Sequence, residues 1–298
     1  MGGLAIVIVT YNSGESIGRL LRSIGPAYPD GSPRVIVVDN ASTDDTIVKL
    51  AEFPWAEIIL STNDGYAAGI NRGIEDSPDA EAHLILNPDL ELAPGAISGL
   101  LVELEAPDVG IVAPKVLGPT GELEPSQRRE PTLLRAAGLG FTGLPVFSEY
   151  VQNEAAYAQA VSVDWALGAA LLVRRECSLE VGEWDESYFL YSEETDYCAR
   201  ARAAGWIVRF TPAAVAVHAG GGSGRSDRTH VMQIINRVRY YARGHSWGAG
   251  AAYWALTVLS EATWVLRGHP QSKASIRALL NPRARPVELG CGRRLLPH

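Results

Sequence analysis

The sequence contains few cysteines, and they form no pattern that would bind a metal or crosslink the chain. There are three, Cys177, Cys198 and Cys291, an odd number without a CxxC motif. Neither a disulfide framework nor a zinc knuckle is therefore supported. The start of the chain also lacks a basic segment followed by an apolar one, so no secretory signal peptide is predicted. Both absences favour a reducing cytosol.

A glycine-rich phosphate-binding turn is missing after the first apolar run. That run continues into TYNSGESIG, where a dinucleotide-binding protein would carry GxGxxG. The P-loop pattern, GxxxxGKS or GxxxxGKT, does not occur either. A diphosphate ligand would therefore need another cationic partner, and a divalent cation held by protein carboxylates is the natural one.

Positive charge is scarce over most of the chain. Residues 1–224 carry 14 Lys and Arg against 31 Asp and Glu, whereas residues 225–298 carry 12 against three. An acidic body argues against nucleic acid as the main ligand. The basic, aromatic tail indicates an anionic surface such as a membrane, or else a solvated helical face.

Four apolar runs lie in the first ninety residues: LAIVIVTY, RVIVVDNA, AEIILSTN and HLILNPD. Each is short, rich in β-branched residues and largely continuous, which is typical of strands buried on both faces of a parallel sheet. Helical patterns fall between the runs, and Asn12 with Glu15 is a start signal for the first of these helices. The sequence therefore predicts right-handed βαβ units and an α/β domain.

Polar residues stand at the carboxyl end of each predicted strand, which is where ligands bind in parallel α/β sheets. Any one of them could cap a helix, but four together indicate a site. Asp89 is the candidate ligand for Mg²⁺ or Mn²⁺, because the buried strand and Pro88 hold its carboxylate rigidly. The four polar segments are Thr10-Tyr11-Asn12, Asp39-Asn40, Thr62-Asn63-Asp64 and Asn87-Pro88-Asp89.

Two helices are predicted in the tail. Residues 229–244 have an amphipathic pattern, and residues 247–266 are mainly apolar and about as long as a bilayer-spanning helix, roughly 20 residues. Because Glu261 lies inside the second run, we expect that helix to lie on an anionic membrane or to pack as core, and not to span the bilayer. The buried side of the first helix is predicted to consist of Val231, Ile234, Ile235, Val238 and Tyr241.

Several strings, in this order along the chain, resemble glycosyltransferase family 2. They are VIVTYN, VVDNASTD, TNDGYAAGINRGI and LILNPD, followed by WALGAALLVRRE, GEWDESYFLYSEETDYCAR and VHAGGGS. The resemblance runs from about residue 4 to residue 224. It is most like the bacterial rhamnosyltransferase-like branch, whose acceptors are often polyprenyl-diphosphate-linked sugars. The family's Asp-x-Asp metal motif stands here as Asn87-Pro88-Asp89.

The resemblance implies a GT-A (Rossmann-like) α/β fold, with a mixed, mainly parallel sheet flanked by helices. Residues 1–95 would form the nucleotide-sugar-binding half, and residues 96–224 the acceptor-binding and catalytic half of the same domain. Residues 225–298 would be a basic, aromatic helical extension at the carboxyl terminus.

The resemblance implies a donor site at the strand ends. Asp39 would accept a hydrogen bond from N3–H of uracil or thymine, and Tyr11 would lie against the pyrimidine ring. Asp89 and His218 would be the metal ligands, and the glycines after His218 would face phosphate or act as a linker. From the residues alone, Asp39 also fits a plain turn, His218 a structural histidine and Arg128 a solvated side chain. The other implied donor-binding residues are Thr10, Asn12, Asn63, Asn71, Arg72, Asn87 and Arg128.

The resemblance also implies the catalytic residues. In SEETDYCARARAAG, Glu194 matches the expected general base, which would deprotonate the acceptor hydroxyl. Glu193 would orient it, and Asp196 would hold Arg200 one turn on or support the acceptor pocket. From the residues alone, acids in the first turn of a helix are common because they complement the helix dipole.

Aromatic residues are expected around the acceptor, because sugars stack on aromatic faces. For Trp165 a core position is equally supported. The residues expected to wall the acceptor site are Trp165, Trp184, Asp185 and Tyr191.

The sequence therefore predicts an inverting, metal-dependent glycosyltransferase that uses a dTDP- or UDP-linked sugar, with dTDP-L-rhamnose the best candidate. The acceptor would be a saccharide on a polyprenyl diphosphate, for cell-wall or surface polysaccharide synthesis. The enzyme would work at the inner face of the cell membrane, without nucleic acid, and could form a homodimer through its carboxyl-terminal helices. The alternatives are a sugar nucleotidyltransferase, which should carry a basic glycine-rich loop after the first strand, and a noncatalytic sugar- or lipid-binding derivative.

Overall fold

The computed structural model describes residues 3–219, 226–291 and 295. The glycine run at residues 220–222, which the sequence offers as a phosphate-facing turn or a linker, lies outside these residues. Within the described residues, the strands form one large mixed sheet and a separate two-stranded ribbon.

The amino-terminal half is a parallel β/α unit, as the apolar runs predict. β1, β2 and β4 are buried, but the third run, AEIILSTN, forms a largely exposed strand at one edge of the sheet. The strands are β1 (Leu4–Thr10), β2 (Arg34–Asn40), β3 (Glu57–Ser61) and β4 (Ala82–Leu86). The helices between them are α1 (Ile17–Ala27), α2 (Thr46–Leu50) and α3 (Tyr66–Glu75).

Later strands continue the same sheet, in the order β3-β2-β1-β4-β10-β6-β11-β5, with β8 beside β11. β10 runs antiparallel to β4 and β6, whereas β11 runs parallel to β6. The predicted α/β class with a mixed, mainly parallel sheet is confirmed, while the divisions at residues 95 and 224 stay predictions. The added strands are β5 (Leu90–Leu92), β6 (Val109–Leu117), β8 (Val161–Ser162), β10 (Ala170–Arg174) and β11 (Ile207–His218), and the ribbon pairs β7 (Gln127–Arg128) with β9 (Trp165–Ala166).

Helices cover both faces of the sheet. Alternate residues of β4 show this, because Leu84 and Leu86 pack with α1 and α4, whereas Ile85 packs with α3 and α7. This two-sided burial explains why the strand has a continuous apolar run. The remaining helices of the sheet-containing part are α4 (Ala96–Glu103), α5 (Leu133–Ala136), α6 (Arg175–Val181) and α7 (Glu193–Ala203).

The carboxyl-terminal extension is helical, as predicted. It consists of α8 (Asp227–Arg243), α9 (Trp247–Leu266) and α10 (Gln271–Leu280). All five apolar positions predicted for the buried side of α8 are buried, in a cluster shared with α9 and α10. Of the helices in the described ranges, none is both long and apolar enough to cross a bilayer.

The predicted start of the first helix is wrong. α1 begins at Ile17, after Ser16, and not at Asn12. Asn12 has a left-handed φ of 51°, and its Oδ1 accepts a hydrogen bond of 2.8 Å from the backbone N–H of Thr43. The short polar side chain therefore ties the loop after β1 to the loop after β2 and caps no helix.

Candidate active site at the carboxyl edge of the sheet

Asp39 is held rigidly where β1 and β2 end side by side. Thr10 Oγ1 donates to Asp39 Oδ1 at 3.0 Å, and Ser42 donates to the carboxylate from its hydroxyl at 2.5 Å and its backbone N–H at 2.9 Å. Thr10 and Asp39 are both buried. These three donors fix the orientation of the Asp39 carboxylate and leave lone pairs for a ligand.

The other predicted donor residues of the first three strand ends lie at the surface. The Tyr11 ring is 50% exposed, and Asn63 is exposed as well. Arg72 forms an exposed ion pair with Asp64, 2.7 Å between Nη2 and Oδ2. Because exposed ion pairs contribute little energy, this arginine can exchange its partner for a phosphate at small cost.

Asp89 and His218 face each other, as the resemblance implies for two ligands of one metal. β5 pairs antiparallel with β11, so His218 stands opposite Leu90 and the Ala219 N–H donates to the Asp89 carbonyl. His218 Nε2 lies 3.2 Å from Asp89 Oδ1, and its Nδ1 lies 3.0 Å from Glu124 Oε2. Burial opposes the charged imidazolium, but hydrogen bonds to both carboxylates raise the pKa of His218 to about 10.

Three or more His, Cys, Asp or Glu side chains placed to hold a metal are not found together anywhere in residues 3–219 and 226–291. Among the described residues, the candidate ligands that face each other are Asp89 and His218. Glu124 stands behind His218 as a carboxylate that orients the ring. The sequence does not predict this contact, because nothing in GELEPSQRR indicates that its second glutamate, Glu124, lies beside the end of β11.

Tyr66 connects this pair to the candidate catalytic acids, and it was also missed. Its hydroxyl donates to Asn87 Oδ1 at 2.7 Å. Burial and the negative charges of Glu193, Glu194 and Asp89 raise the pKa of Tyr66 well above its ordinary value. The phenol therefore lies among all three carboxylates and stays protonated. Its string, TNDGYAAG, carried the family resemblance, but helical periodicity alone would assign it to a helix start.

Glu193 and Glu194 begin α7 as a pair of buried carboxyl groups. Burial and the neighbouring charge of Glu194 raise the pKa of Glu193 well above its ordinary value. Burial also raises the pKa of Glu194, and the positive charge of Arg128 opposes that shift. Each has an Oε2 atom without a hydrogen-bond partner among the residues that the structure describes. Acids that only complement a helix dipole would be solvated, so this burial indicates a site.

Gly168 leaves space for the side chain of Glu194. A Cβ on Gly168 would lie 3.1 Å from Glu194 Cβ and 3.2 Å from its Cγ. The glutamate side chain therefore crosses the backbone of the LGAA turn at van der Waals distance. Any larger residue at position 168 would press on Glu194 and move its carboxyl group.

Arg128 is buried in the site and is not solvated. Its guanidinium carbon lies 3.8 Å from the ring centre of Tyr150 and 5.5 Å from that of Trp165. The positive charge of Arg128 acts to lower the pKa of Glu194. Arg129 differs, because its Nη1 donates to the backbone carbonyl of Tyr150 at 2.9 Å. The two adjacent arginines therefore have separate tasks, one at the acids and one bracing a loop.

The prediction that Trp184 walls the acceptor site is wrong. Its ring is only 2% exposed and stacks on Tyr197, with centroids 4.2 Å apart and an interplanar angle of 7°. Trp165 is also buried, and its Nε1 donates to the Arg129 carbonyl at 3.0 Å, which favours its core interpretation. Both indoles fill the space between the sheet and α7, where a sugar cannot reach their faces.

Two further predicted site residues support the backbone instead of facing a pocket. Asp185 Oδ1 accepts from the Ser187 N–H at 2.9 Å, and its Oδ2 forms an ion pair with Arg243 of α8. Asn71 Nδ2 donates to the Trp184 carbonyl and to Glu186 Oε1, both at 3.0 Å. Both amide hydrogens of Asn71 are therefore used within the protein.

Asp196 holds Arg200, as one of its two interpretations predicts. Arg200 Nε donates to Asp196 Oδ2 at 2.7 Å, and the same guanidinium donates to the carbonyls of Val181 and Glu183. Arg200, oriented by Asp196, thus links α7 to the end of α6 and the segment after it.

A backbone segment of unusual conformation precedes α7. Phe189, Tyr191 and Ser192 have left-handed φ values of 60°, 69° and 75°, which cost non-glycine residues of order 1 kcal/mol or more each. The buried amide of Asn236, in α8, lies 2.7 to 3.0 Å from the carbonyls of Tyr188, Leu190 and Tyr191. The segment is therefore held from the carboxyl-terminal extension.

The other side of this segment rests on the start of α3. The Tyr66 N–H donates to the Phe189 carbonyl at 2.7 Å. A Cβ on Gly65 would lie 2.6 Å from that carbonyl oxygen, so only glycine fits there. Tyr191, a predicted acceptor residue, stands partly exposed in this segment beside the two buried glutamates.

Comparisons with known proteins identify the family and support the fold. The model of the family described as "Glycosyl transferase family 2" matches residues 5–161. An N-acetylglucosaminyl-diphospho-decaprenol L-rhamnosyltransferase of Mycobacterium tuberculosis is 31% identical over 305 residues, with 96% of this chain and 98% of the relative covered. The low-salt glycan biosynthesis hexosyltransferase Agl10 of Haloferax volcanii is 32% identical, with 67% of this chain and 61% of that one covered.

A solved structure supports the fold. The crystal structure of GalNAc-T7 with UDP, GalNAc and Mn²⁺ aligns with a TM-score of 0.62 at 14% identity, covering 93% of this chain. The chain spans about half of that protein, 54% of its length. At so low an identity the likeness bears on the fold alone, which is GT-A. The family match and the relative that shares almost the whole chain lead to one conclusion: the chain belongs to glycosyl transferase family 2, as a rhamnosyltransferase-like glycosyltransferase.

Proposed function

We propose that this glycosyltransferase transfers L-rhamnose, from a dTDP-linked donor in preference to a UDP-linked one, with inversion, onto a saccharide carried by a polyprenyl diphosphate. The proposal rests on the buried pair Glu193 and Glu194. This pair and Asp89 of the Asp89–His218 pair all lie close to Tyr66. The Mycobacterium tuberculosis relative, named a diphospho-decaprenol L-rhamnosyltransferase, supports the sugar and the acceptor.

Glu194 is the general base in this proposal. The acceptor hydroxyl oxygen forms a bond to the anomeric carbon, the bond from that carbon to the nucleoside diphosphate breaks, and the hydroxyl proton passes to Glu194 Oε2. A single displacement of this kind inverts the anomeric centre. The raised pKa of Glu194 brings it closer to working pH and so strengthens the base, while Arg128 keeps the carboxylate available.

The donor groups that would hold a divalent cation are Asp89 Oδ1 and His218 Nε2, and the imidazolium would release its Nε2 proton as the cation binds. An imidazole backed by a carboxylate, here Glu124, is the usual arrangement for a metal-ligating histidine. Two protein ligands suit Mg²⁺ or Mn²⁺ that completes its shell with diphosphate oxygens and water. When bound, the cation would neutralise charge on the leaving diphosphate.

The rest of the donor site is assigned by position. Asp39 would accept from the pyrimidine N3–H, since its carboxylate is already oriented by Thr10 and Ser42. Tyr11 would cover the base, and Arg72 would turn from Asp64 toward phosphate. We assign Asn71 to support of the 184–186 segment, because its amide hydrogens are used there.

The test is a donor and acceptor panel. The enzyme is incubated with dTDP-rhamnose or UDP-sugars, with and without Mn²⁺, and with N-acetylglucosamine on a short polyprenyl diphosphate. We expect metal-dependent release of dTDP and a product of inverted anomeric configuration by NMR. Retained configuration, or transfer that is indifferent to chelation of the metal, would contradict the mechanism.

The same assay separates the alternatives. A sugar nucleotidyltransferase would release pyrophosphate from a nucleoside triphosphate, and a noncatalytic derivative would release nothing. No Lys or Arg follows β1 in TYNSGESIG, which argues against the nucleotidyltransferase. The buried acids argue against a noncatalytic derivative, because burying carboxylates without a function carries a large desolvation cost.

We also infer that the enzyme works at the inner face of the cell membrane, where a polyprenyl-linked acceptor would be presented. The basic carboxyl-terminal extension supports this location. A homodimer through the same helices is the competing arrangement.

A further inference from the structure

In α9 the charged residue is buried and several apolar residues are exposed, which is the reverse of an ordinary surface helix. Glu261 is the one charged residue within its sequence, yet this glutamate is 4% exposed and lies 3.1 Å from His230 Nε2 of α8. Ala255, Leu259 and Leu266, spaced by four and seven residues, are exposed. A helix that faces water would place these residues the other way round.

A neighbouring loop extends this apolar surface. Leu134, Leu139, Phe141, Leu144 and Val146 are all exposed. Gly138 approaches α9 so closely that a Cβ would lie 2.7 Å from the Ser260 hydroxyl. The loop and the helix therefore form one continuous surface, which we call the apolar face: Leu134, Leu139, Phe141, Leu144, Val146, Leu259, Trp264 and Leu266.

Positive charge accompanies the apolar face. The Arg267 guanidinium carbon lies 4.2 Å from the Phe141 ring centre and 5.4 Å from that of Trp264. Residues 262–287 contain five Lys and Arg and no Asp or Glu. In residues 131–148 the one charged residue is Arg135.

We propose that the apolar face is the surface by which this enzyme lies on an anionic lipid bilayer. The proposal rests on the proposed function, since a polyprenyl-linked acceptor is presented from such a bilayer. Exposed apolar side chains enter the boundary between headgroups and acyl chains, while flanking cations meet anionic headgroups. α9 would lie in the plane of the membrane, with Glu261 turned away from the lipid.

A second copy of the chain fits this surface less well. In a symmetric dimer the same patch meets itself. Arg267 of each copy would then approach the other, without acidic residues in these two stretches to pair with it. An anionic bilayer complements the same charges, and this complementarity decides between the two occupants.

The loop of the apolar face also begins close to the active site. It follows Arg128, whose positive charge acts on Glu194 in the site. Binding by this loop would therefore bring the acid pair near the lipid surface. The same contact would leave the donor edge of β1 and β2, at the other end of the sheet, in water.

The test is co-sedimentation of the full chain with vesicles that contain no acceptor. One set is phosphatidylcholine alone, and the other includes phosphatidylglycerol. We expect binding to the anionic set only, weakened by salt. Phe141→Ser combined with Leu266→Ser should lower the partition coefficient about tenfold or more, and Arg267→Gln about fivefold. The matched control, Val48→Ser with Leu60→Ser, changes exposed apolar residues near the other edge of the sheet and should leave binding unaltered.

Several results would overturn the proposal. Equal binding of the Phe141 and Leu266 variant, with an unchanged melting temperature, would place the lipid contact elsewhere. If the wild-type protein does not bind the vesicles, the proposal is wrong. If light scattering shows a dimer that the variant abolishes, the apolar face binds a second copy of the chain. Transfer to a water-soluble acceptor tests the enzyme separately. A failure there with vesicle binding intact would count against the proposed function and not against this surface.

Discussion

The donor edge and the catalytic segment are built in different ways. At the donor edge, neighbouring parallel strands end together, and short side chains such as Thr10 and Ser42 orient Asp39 directly. In the catalytic segment, residues 188–192, Phe189, Tyr191 and Ser192 have positive φ values, which residues other than glycine disfavour. The segment is held by Asn236, from a helix outside the sheet. The orientation of Asp39 therefore comes from the adjacent ends of two strands, whereas the conformation of residues 188–192 depends on a helix outside the sheet.

The largest expected effect is on the catalytic side. Glu194→Gln keeps the shape of the side chain but removes the base, so we expect transfer to fall about 10³-fold. Donor affinity, measured calorimetrically with dTDP and Mn²⁺, should stay the same, because Asp39 and Asp89 are untouched. Asp196→Asn is the control, since Asp196 pairs with Arg200, and it should retain most activity. If Asp196→Asn is inactive and Glu194→Gln is active, the base has been placed on the wrong acid.

The second prediction addresses the donor side. Asp89→Ala should weaken metal-dependent binding of dTDP or UDP by about 100-fold, because one of two candidate protein ligands is lost. Titrations with and without Mn²⁺ measure the effect. Glu124→Gln, which leaves both ligands in place but weakens the support of His218, should cost about tenfold. Unchanged metal dependence in Asp89→Ala would remove this residue from the metal site.

The third prediction tests the difference between the donor edge and the catalytic segment by changing Asn236. Asn236→Leu removes the donors that hold residues 188–191, so we expect kcat to fall about tenfold and stability to fall by about 1–3 kcal/mol. Donor affinity should not change. Steady-state kinetics and calorimetry separate these quantities, and Asn236 is on this view a positioning residue.

Two controls sharpen this third prediction. Ser226→Ala removes the N-cap bond of α8, 3.1 Å from Thr229 N to Ser226 Oγ, and should cost about 1 kcal/mol of stability without changing kcat. Thr10→Val removes a hydrogen bond to Asp39 and should weaken donor binding by a few-fold, with kcat unchanged. If Ser226→Ala lowers kcat as much as Asn236→Leu does, the role of Asn236 is merely structural.

The smallest effect is a change in stability with pH. Burial and the charge of Glu194 raise the pKa of Glu193 above its ordinary value of 4.5. Folding therefore favours the protonated carboxyl, whose contribution to stability is complete below pH 4.5 and is lost as the pH rises through the raised pKa. Glu193→Gln removes this dependence, so the variant should melt about 2–4 °C above wild type at about pH 8.

The difference in melting temperature should vanish near pH 4.5. Thermal scans across this range measure it, with exposed Glu15→Gln as the control that should follow wild type. A difference that is constant with pH would mean that Glu193 does not titrate with a raised pKa.

Prediction from sequence succeeded where the signal is local. Continuous apolar runs identified β1, β2 and β4, and the polar residue after each run placed Asp39 and Asp89 at one edge of the sheet. It failed at β3, because an apolar run does not say whether its strand will be buried on both faces of the sheet. It also failed for Trp184, because a tryptophan near an acidic motif can face a sugar or a core with the same sequence pattern.

By itself, the sequence determined the α/β class, the family and the acids and histidine that are candidates for chemistry. Periodicity and short motifs carry that information, and both depend on residues a few positions apart. Only the tertiary structure decided which side chains meet: Tyr66 with Glu193 and Glu194, Glu124 with His218, and Asn236 with the catalytic segment. The partner of a buried polar group lies tens to more than a hundred residues away, and packing of the whole sheet, which no local pattern encodes, brings the two together.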